Sequence, residues 1–274
     1  MWIDTHSHFD ADIFATSRRK DWQRAQSSGV SAQFMMGIHP DNWQSLVALA
    51  DGFAGCYFAL GIHPLFVEPL ALDTAMAALQ AAVATYRHHP RFIGIGEVGL
   101  DGLVKNLDCK QQIDFFKAQL RLAKDYDLPV FLHIRKAQDQ VLKYCRQFAV
   151  TMGIAHAFNG SQQQAEHYMD NGFKLGFGGA MTYPQAKKLQ RLAKTLPLTA
   201  LVLETDSPYM APAWIQHRVQ HQIQHQAQHQ AQTRINHSYE LPQIGAYLSQ
   251  LRGISPNTLA EQLRINTQGF LPGS

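Results

Sequence analysis

Eight short apolar runs punctuate the chain, and longer segments with helical spacing separate them. The runs are Met1–Asp4, Ala32–Met36, Tyr57–Gly61, Phe92–Glu97, Val130–His133, Met152–His156, Phe173–Phe177 and Leu201–Glu204. At four to six residues each, they have the length of strands rather than helices. Their near-continuous apolar character is that of strands covered on both faces. Between them, Gln112–Tyr126 places Ile113, Phe116, Leu120 and Ala123 on one helical stripe, and Ala71–Arg87 is rich in alanine and leucine. Pro129 and Pro197 mark helix exits. Strands alternating with helices eight times over predict an α/β fold, a single parallel (β/α)8 TIM barrel. A doubly wound sheet is the competitor, but no Gly-x-Gly-x-x-Gly follows an early strand.

Composition supports one domain spanning 1–274. A chain of 274 residues suits a barrel, and 46% hydrophobic with 16% charged residues suits a substantial core. No apolar run approaches the ~18 residues that cross a bilayer. Asp4, His6 and His8 stand where a signal peptide would need apolar residues. A cytoplasmic monomer without membrane contact is the expectation. Cys56, Cys109 and Cys145 are too dispersed for a disulfide framework or a Cys-x-x-Cys zinc knuckle. A net charge of +3, from 24 basic and 21 acidic residues, does not mark a nucleic-acid binder but leaves room for a local basic groove. Residues 216–232 are almost wholly Gln, His and Ala, with His217, His221, His225 and His229 four apart. This stretch reads as a repeat-expanded surface insertion.

Chemistry in such barrels sits at the C-terminal ends of the strands. His6 and His8 fall there on strand one, His63 after strand three, Glu97 on strand four and His133 on strand five. His156 ends strand six and Asp206 closes strand eight. Side chains alternate along a strand, so Asp4, His6 and His8 are expected on one side. Neutral imidazole is the commonest metal ligand near neutral pH. A lone His-x-His reads equally well as an ordinary polar strand end, but the four further candidates weigh against that reading. Mixed imidazole and carboxylate ligands suit Zn²⁺, Mn²⁺ or Fe²⁺ better than Ca²⁺, and Mg²⁺ is not distinguished from them by sequence. Arg135 shares the parity of His133 and can offer phosphate a bidentate fork, whereas Lys136 points the other way. Asn159, Gly160 and Ser161 form a polar loop able to present N–H groups to an oxyanion, or a plain tight turn. Glu204 and Asp4 read as supports for the ligands beside them.

The motifs that carry these residues are Asp4-Thr5-His6-Ser7-His8-Phe9-Asp10, Gly61-Ile62-His63-Pro64, Gly96-Glu97-Val98-Gly99-Leu100-Asp101 and Leu128-Pro129-Val130-Phe131-Leu132-His133-Ile134-Arg135. His156-Ala157-Phe158-Asn159-Gly160-Ser161, Glu204-Thr205-Asp206-Ser207-Pro208-Tyr209-Met210-Ala211-Pro212 and Arg252-Gly253-Ile254-Ser255-Pro256 follow in order. In these segments the chain resembles the TatD family of metal-dependent hydrolases over nearly its whole length. The resemblance implies a dinuclear metal site of two divalent ions. His6, His8 and Asp206 would hold one ion, His133 and His156 the other, with Glu97 as the bridge. Glu97 and Asp206 would be catalytic, Asp206 by orienting or deprotonating the attacking water. His63 would contact substrate as the family's equivalent histidine does. Arg135, Asn159 and Tyr209 are further substrate candidates by their own chemistry, with a salt bridge to a barrel carboxylate the alternative for Arg135 and packing on the barrel rim the equal alternative for Tyr209. The implied activity is a deoxyribonuclease releasing nucleotides from strand ends. The same ligands could serve an ester or amide hydrolase, such as an aminoacyl-tRNA deacylase or lactonase, and a non-catalytic metal-binding barrel is the third reading. Three departures stand out. Gly102 and Leu103 occupy positions where the family usually has aromatics. The Gln/His stretch precedes Arg234 and Asn236, which match the family's basic loop only loosely. A second Gly-Ile-His-Pro, containing His39, follows strand two and reads as coincidence.

Overall fold

The computed structural model describes residues 1–104, 108–215 and 235–273. The Gln/His segment at 216–232 and Arg234 lie outside the described residues. Eight strands form one parallel sheet in sequence order: β1 (Trp2–Ser7), β2 (Val30–Met36), β3 (Cys56–Leu60), β4 (Phe92–Asp101), β5 (Val130–Arg135), β6 (Gly153–Ala155), β7 (Phe173–Phe177) and β8 (Leu201–Leu203). The first strand meets the last through a parallel bridge between Ser7 and Ser207. There the Asp206 N–H donates to the His6 carbonyl at 2.9 Å and the His8 N–H to the Ser207 carbonyl at 2.7 Å. The result is a nearly closed barrel, and each of the eight apolar runs of the sequence is one of its strands.

Helices surround the sheet: α1 (Arg18–Ser27), α2 (Pro40–Gly52), α3 (Leu72–Tyr86), α4 (Cys109–Asp125), α5 (Gln138–Gln147), α6 (Gln162–Asp170), α7 (Lys187–Thr195), α8 (Leu241–Arg252) and α9 (Pro256–Gln268). Their ends carry local signals. Asp108 caps α4 by accepting the Lys110 N–H at 2.8 Å, and Gly253 ends α8 with φ 67°, a left-handed turn that glycine adopts without penalty. One apolar layer lies between strands and helices, with Leu79, Phe116, Leu120, Leu192 and Leu248 fully buried. A second, smaller layer of Ile3, Phe34, Phe131, Ile154 and Val202 fills the barrel. Phe270, just after α9, joins it with its ring 6.0 Å from Phe131. No helix among the described residues is long and apolar enough to cross a membrane. Cys56, Cys109 and Cys145 are all free thiols.

One expectation fails in β1. Asp4 pairs with Gln33 and Ser7 with Met35, so β1 carries one residue more than β2 between these points. Such a bulge resets the alternation. Ile3 packs inside the barrel and His6, three residues later, still reaches the centre. Asp4 therefore does not share the side of His6. Its carboxylate accepts the Thr205 N–H at 2.8 Å and the Thr205 hydroxyl at 2.6 Å, tying β1 to the turn after β8.

Candidate metal centre

Glu97 occupies the middle of the site. It is buried at the fourth strand, and each of its oxygens faces a different group of histidines. Oε2 lies 3.1 Å from His6 Nε2 and 3.6 Å from His8 Nε2. Oε1 lies 2.8 Å from His133 Nδ1 and 3.5 Å from His63 Nε2. Asp206 closes the first side, with Oδ1 3.3 Å from His8 Nε2 and 3.8 Å from His6 Nε2. Its φ of 55° is unusual for a non-glycine residue, though Asp is among those that tolerate it. His156 stacks on His6 with ring centroids 3.6 Å apart, and its Nε2 is 3.9 Å from Asp206 Oδ2.

Backbone close to the site makes room for this cluster. Gly99 pairs in register with His133, and a Cβ at Gly99 would collide with the His133 carbonyl oxygen. A Cβ at Gly176 on β7 would collide with the Glu204 carboxylate. Glu204 uses that space to place Oε1 3.1 Å from His156 Nδ1 while accepting the Ala157 N–H at 2.6 Å. Asp101 does the same for His133, with Oδ2 3.1 Å from Nε2. Carboxylates behind metal-ligating histidines fix the ring and its tautomer.

Burial favours neutral forms, and neighbouring charges oppose it. Burial would raise the Glu97 carboxyl, but His6 and His63 hold it well below the ordinary carboxylate range. Asp206 is likewise lowered against burial, chiefly by His156 and His8. Burial lowers His6, with repulsion from His156 adding to it, and burial lowers His63. His8 and His133 are raised despite burial, through Asp206 in the first case and Asp101 with Glu97 in the second. Burial also opposes the charge on His156, yet Glu204 and Asp206 push it up to about 10. In the metal-free protein, then, protons on histidine offset the buried carboxylates, and cations binding there displace them.

The residues fit divalent ions. Three overlapping groups, His6–His8–Glu97, His6–His156–Asp206 and His63–Glu97–His133, each hold their ligand atoms within 4.8 Å of one another. The Nε2 atoms of His6 and His8 converge on Glu97 Oε2 and Asp206 Oδ1 at 3.1–3.8 Å, a mixed imidazole and carboxylate donor set that suits a divalent ion. Within these groups His133 lies with His63, and His156 with His6 and Asp206.

Above the cluster opens a cleft of about 1080 Å³ lined by all these groups except His6 and Glu204. Arg135 is 56% exposed there, with one guanidinium nitrogen 3.7 Å from Asp101. Tyr209, 60% exposed, stands edge-on to His8 at 5.8 Å. Asn159 also lines the cleft, and its carbonyl accepts from Lys188 Nζ at 2.9 Å. Four further residues bear on the sequence expectations. Lys136 faces the cleft rather than away, because β5 ends at Arg135 and Lys136 takes φ 55°. The Ser161 N–H is spent on Gln164 Oε1 at 2.9 Å within the cap of α6, so it is not offered to an oxyanion. Asn236 is buried and donates to the Thr205 carbonyl at 2.7 Å, a tie within the fold. His39 caps α2, its Nδ1 accepting the Asp41 N–H at 3.3 Å.

Four residues around the site stand outside the candidates that the sequence marks. Asp101 repeats the parity of Glu97 on β4, a signal that was available. Gln112 and Gln119 of α4 are buried polar residues on a helix face that packs inward. Gln119 clasps Ile62 through its N–H at 2.7 Å and its carbonyl at 3.0 Å, and Gln112 holds the Asp101 N–H at 2.9 Å. Lys188, on α7, carries no motif at all.

The model of the family described as TatD related DNase matches residues 3–272. An uncharacterized metal-dependent hydrolase of Escherichia coli, YjjV, is 37% identical over 210 residues, covering 76% of this chain and 80% of its own. A crystal structure of Escherichia coli YjjV, a TatD homolog, superposes with a TM-score of 0.87 at 32% identity, over 100% of this chain and 98% of that one. The 3'-5' ssDNA/RNA exonuclease TatD of Erwinia amylovora is 28% identical over 261 residues, 94% of each chain. With a barrel of this order and a buried His/Glu/Asp centre at its strand ends, the chain belongs to the TatD family of metal-dependent hydrolases.

Proposed function

We propose that the chain is a phosphodiesterase dependent on two divalent ions, a deoxyribonuclease that removes nucleotides from a strand end. The observation that carries this reading is the placement of Glu97, with one oxygen towards His6 and His8 and the other towards His133 and His63. A shared anion is what two neighbouring cations need to offset their repulsion. Two such ions, when bound, polarise a phosphodiester and acidify a water.

The chain's own residues then divide the work. His6, His8 and Asp206 would hold one ion with Glu97, and His133 and His156 would hold the other. His63 stands beside His133 as a substrate contact. Asp206, kept ionised by His156 and His8, would take the proton from the attacking water. Arg135, Lys136 and Lys188 are exposed cations on the cleft. These cations share the opening with Asp10, Asp12 and Asp101, so it is the two divalent ions, when bound, that tip it towards a polyanion over a lactone or neutral ester. The Erwinia relative, named as a single-stranded DNA and RNA exonuclease, supports the same substrate class.

The test is a parallel assay of metal-loaded protein on end-labelled single- and double-stranded DNA, RNA and aminoacyl-tRNA, each with a chelator control. Stepwise shortening of DNA from one end, abolished by chelator, is expected. Release of the amino acid without any shortening of nucleic acid would replace this reading with an ester hydrolase.

A further inference from the structure

Ten large apolar side chains are exposed among the described residues, and Leu65, Phe66, Leu103, Tyr209 and Met210, half of them, line the cleft above the metal centre. Scattered exposed apolar residues are ordinary, but a group gathered in one concavity marks a binding surface. Phe66 is the most firmly placed of these. It ends the 3-10 turn Pro64–Phe66, which His63 caps. His63 Nδ1 accepts the Leu65 N–H at 3.1 Å, and the His63 carbonyl accepts the Phe66 N–H at 2.9 Å. Beyond the turn, Gln111 of α4 donates to the Val67 carbonyl at 3.0 Å. Two histidine rings meet Phe66 edge to face, His63 at 5.9 Å and His39 at 6.4 Å, and His39 is itself fixed as the cap of α2. In spite of this backing the side chain remains 41% exposed.

We propose that Phe66, with Leu65 and Leu103 of the same cleft, forms a subsite for the unpaired nucleobase of the nucleotide next to the scissile phosphate. The proposal rests on the phosphodiesterase reading above. A single imidazole, His63, separates the phenyl ring from Glu97, much as a sugar separates base from phosphate. The cations Arg135, Lys136 and Lys188 share the cleft with Asp10, Asp12 and Asp101, and with the divalent ions of that reading bound it suits an occupant that combines negative charge with apolar flat groups, as a nucleic-acid strand does. Every base has a π-face, so a rigid aromatic side chain binds without regard to sequence. A base inside a duplex is stacked and paired and must first be freed, which makes the subsite selective for single-stranded or frayed ends.

The experiment compares short single-stranded DNA oligonucleotides that carry either a normal or an abasic terminal nucleotide, prepared separately for the 3′ and 5′ ends. For wild-type protein with Mn²⁺, kcat/KM at the trimmed end is expected to favour the base-bearing substrate by about tenfold or more, chiefly through KM. Phe66→Ala is expected to reduce that preference to less than about twofold, and Phe66→Trp to retain it, because the contact is a stacking face. A wild-type preference near one, or an undiminished preference in Phe66→Ala, overturns the proposal. Equal loss of activity on both substrates in Phe66→Ala also overturns it, by making Phe66 a prop for His63. A dimer that Phe66→Ala converts to monomer in sedimentation would assign the rim to contact between copies instead. A wild-type protein that shortens neither oligonucleotide overturns the nuclease reading and this subsite with it.

Discussion

Replacing Glu204 by Gln removes one charge beside His156 and changes almost nothing else in shape. Glu204 is buried, and a Gln carbonyl could keep the bond from the Ala157 N–H, now 2.6 Å from Glu204 Oε1. The turn after β6 should therefore hold. What goes is the anion 3.1 Å from His156 Nδ1. Burial alone would lower His156; Glu204 first, then Asp206, reverse this and raise it from 6.5 to about 10. That rise amounts to about 5 kcal/mol in favour of the charged ring. Breaking a buried pair by removing one partner costs about 3–5 kcal/mol, so most of the effect should vanish in the variant. Because the folded value lies above the unfolded one, the pair stabilises metal-free protein fully below pH 6.5. The stabilisation disappears as pH rises through about 10. Melts of chelator-stripped wild type should thus lose stability over that window relative to Glu204→Gln. With metal, loss of the carboxylate that orients a ligating histidine should weaken affinity by about 10–100-fold. A chelator-competition titration near neutral pH measures this. A variant with the wild-type pH slope and wild-type affinity would refute the reasoning.

Asp206→Asn keeps the side chain's size and removes its charge; turnover should fall at least ~100-fold with the melting transition retained, and near-normal turnover in a steady-state assay would make Asp206 a spectator. Gly176→Ala pushes a methyl group into the Glu204 carboxylate; overpacking should cost about 1–3 kcal/mol in denaturant unfolding, with weaker metal binding alongside. His63→Ala should raise KM for DNA while metal analysis still finds both ions; loss of an ion would move His63, 3.5 Å from Glu97, from substrate contact to ligand.

Strand positions were legible because length and apolar character suffice for fully covered strands, and Val130–His133 or Phe173–Phe177 have no other use in a globular core. The convergence of His6, His8, Glu97, His133, His156 and Asp206 followed from barrel topology, which gathers strand ends whatever their separation in sequence. Side-chain direction was less legible. The extra residue in β1 turned Asp4 away from His6, and no periodicity marks a bulge whose cause is pairing with a neighbouring strand. Lys136 escaped its expected side because the strand had already ended. The grouping of His63 with His133 depends on the turn after β3, and the value of Phe66 depends on its being held exposed, which local sequence does not encode. Gln119 and Gln112 support the site from a helix face where apolar spacing hid them.

Metal content measures directly whether Glu97 is shared between two ions. Wild-type protein loaded with Mn²⁺ or Zn²⁺ and freed of excess should carry about two ions per chain, as a two-metal hydrolytic site requires. Glu97→Ala, with the same fold by circular dichroism, should carry about one or fewer, because repulsion between the cations is no longer offset. Two tightly held ions in Glu97→Ala, or only one in the wild type, would contradict the bridged centre.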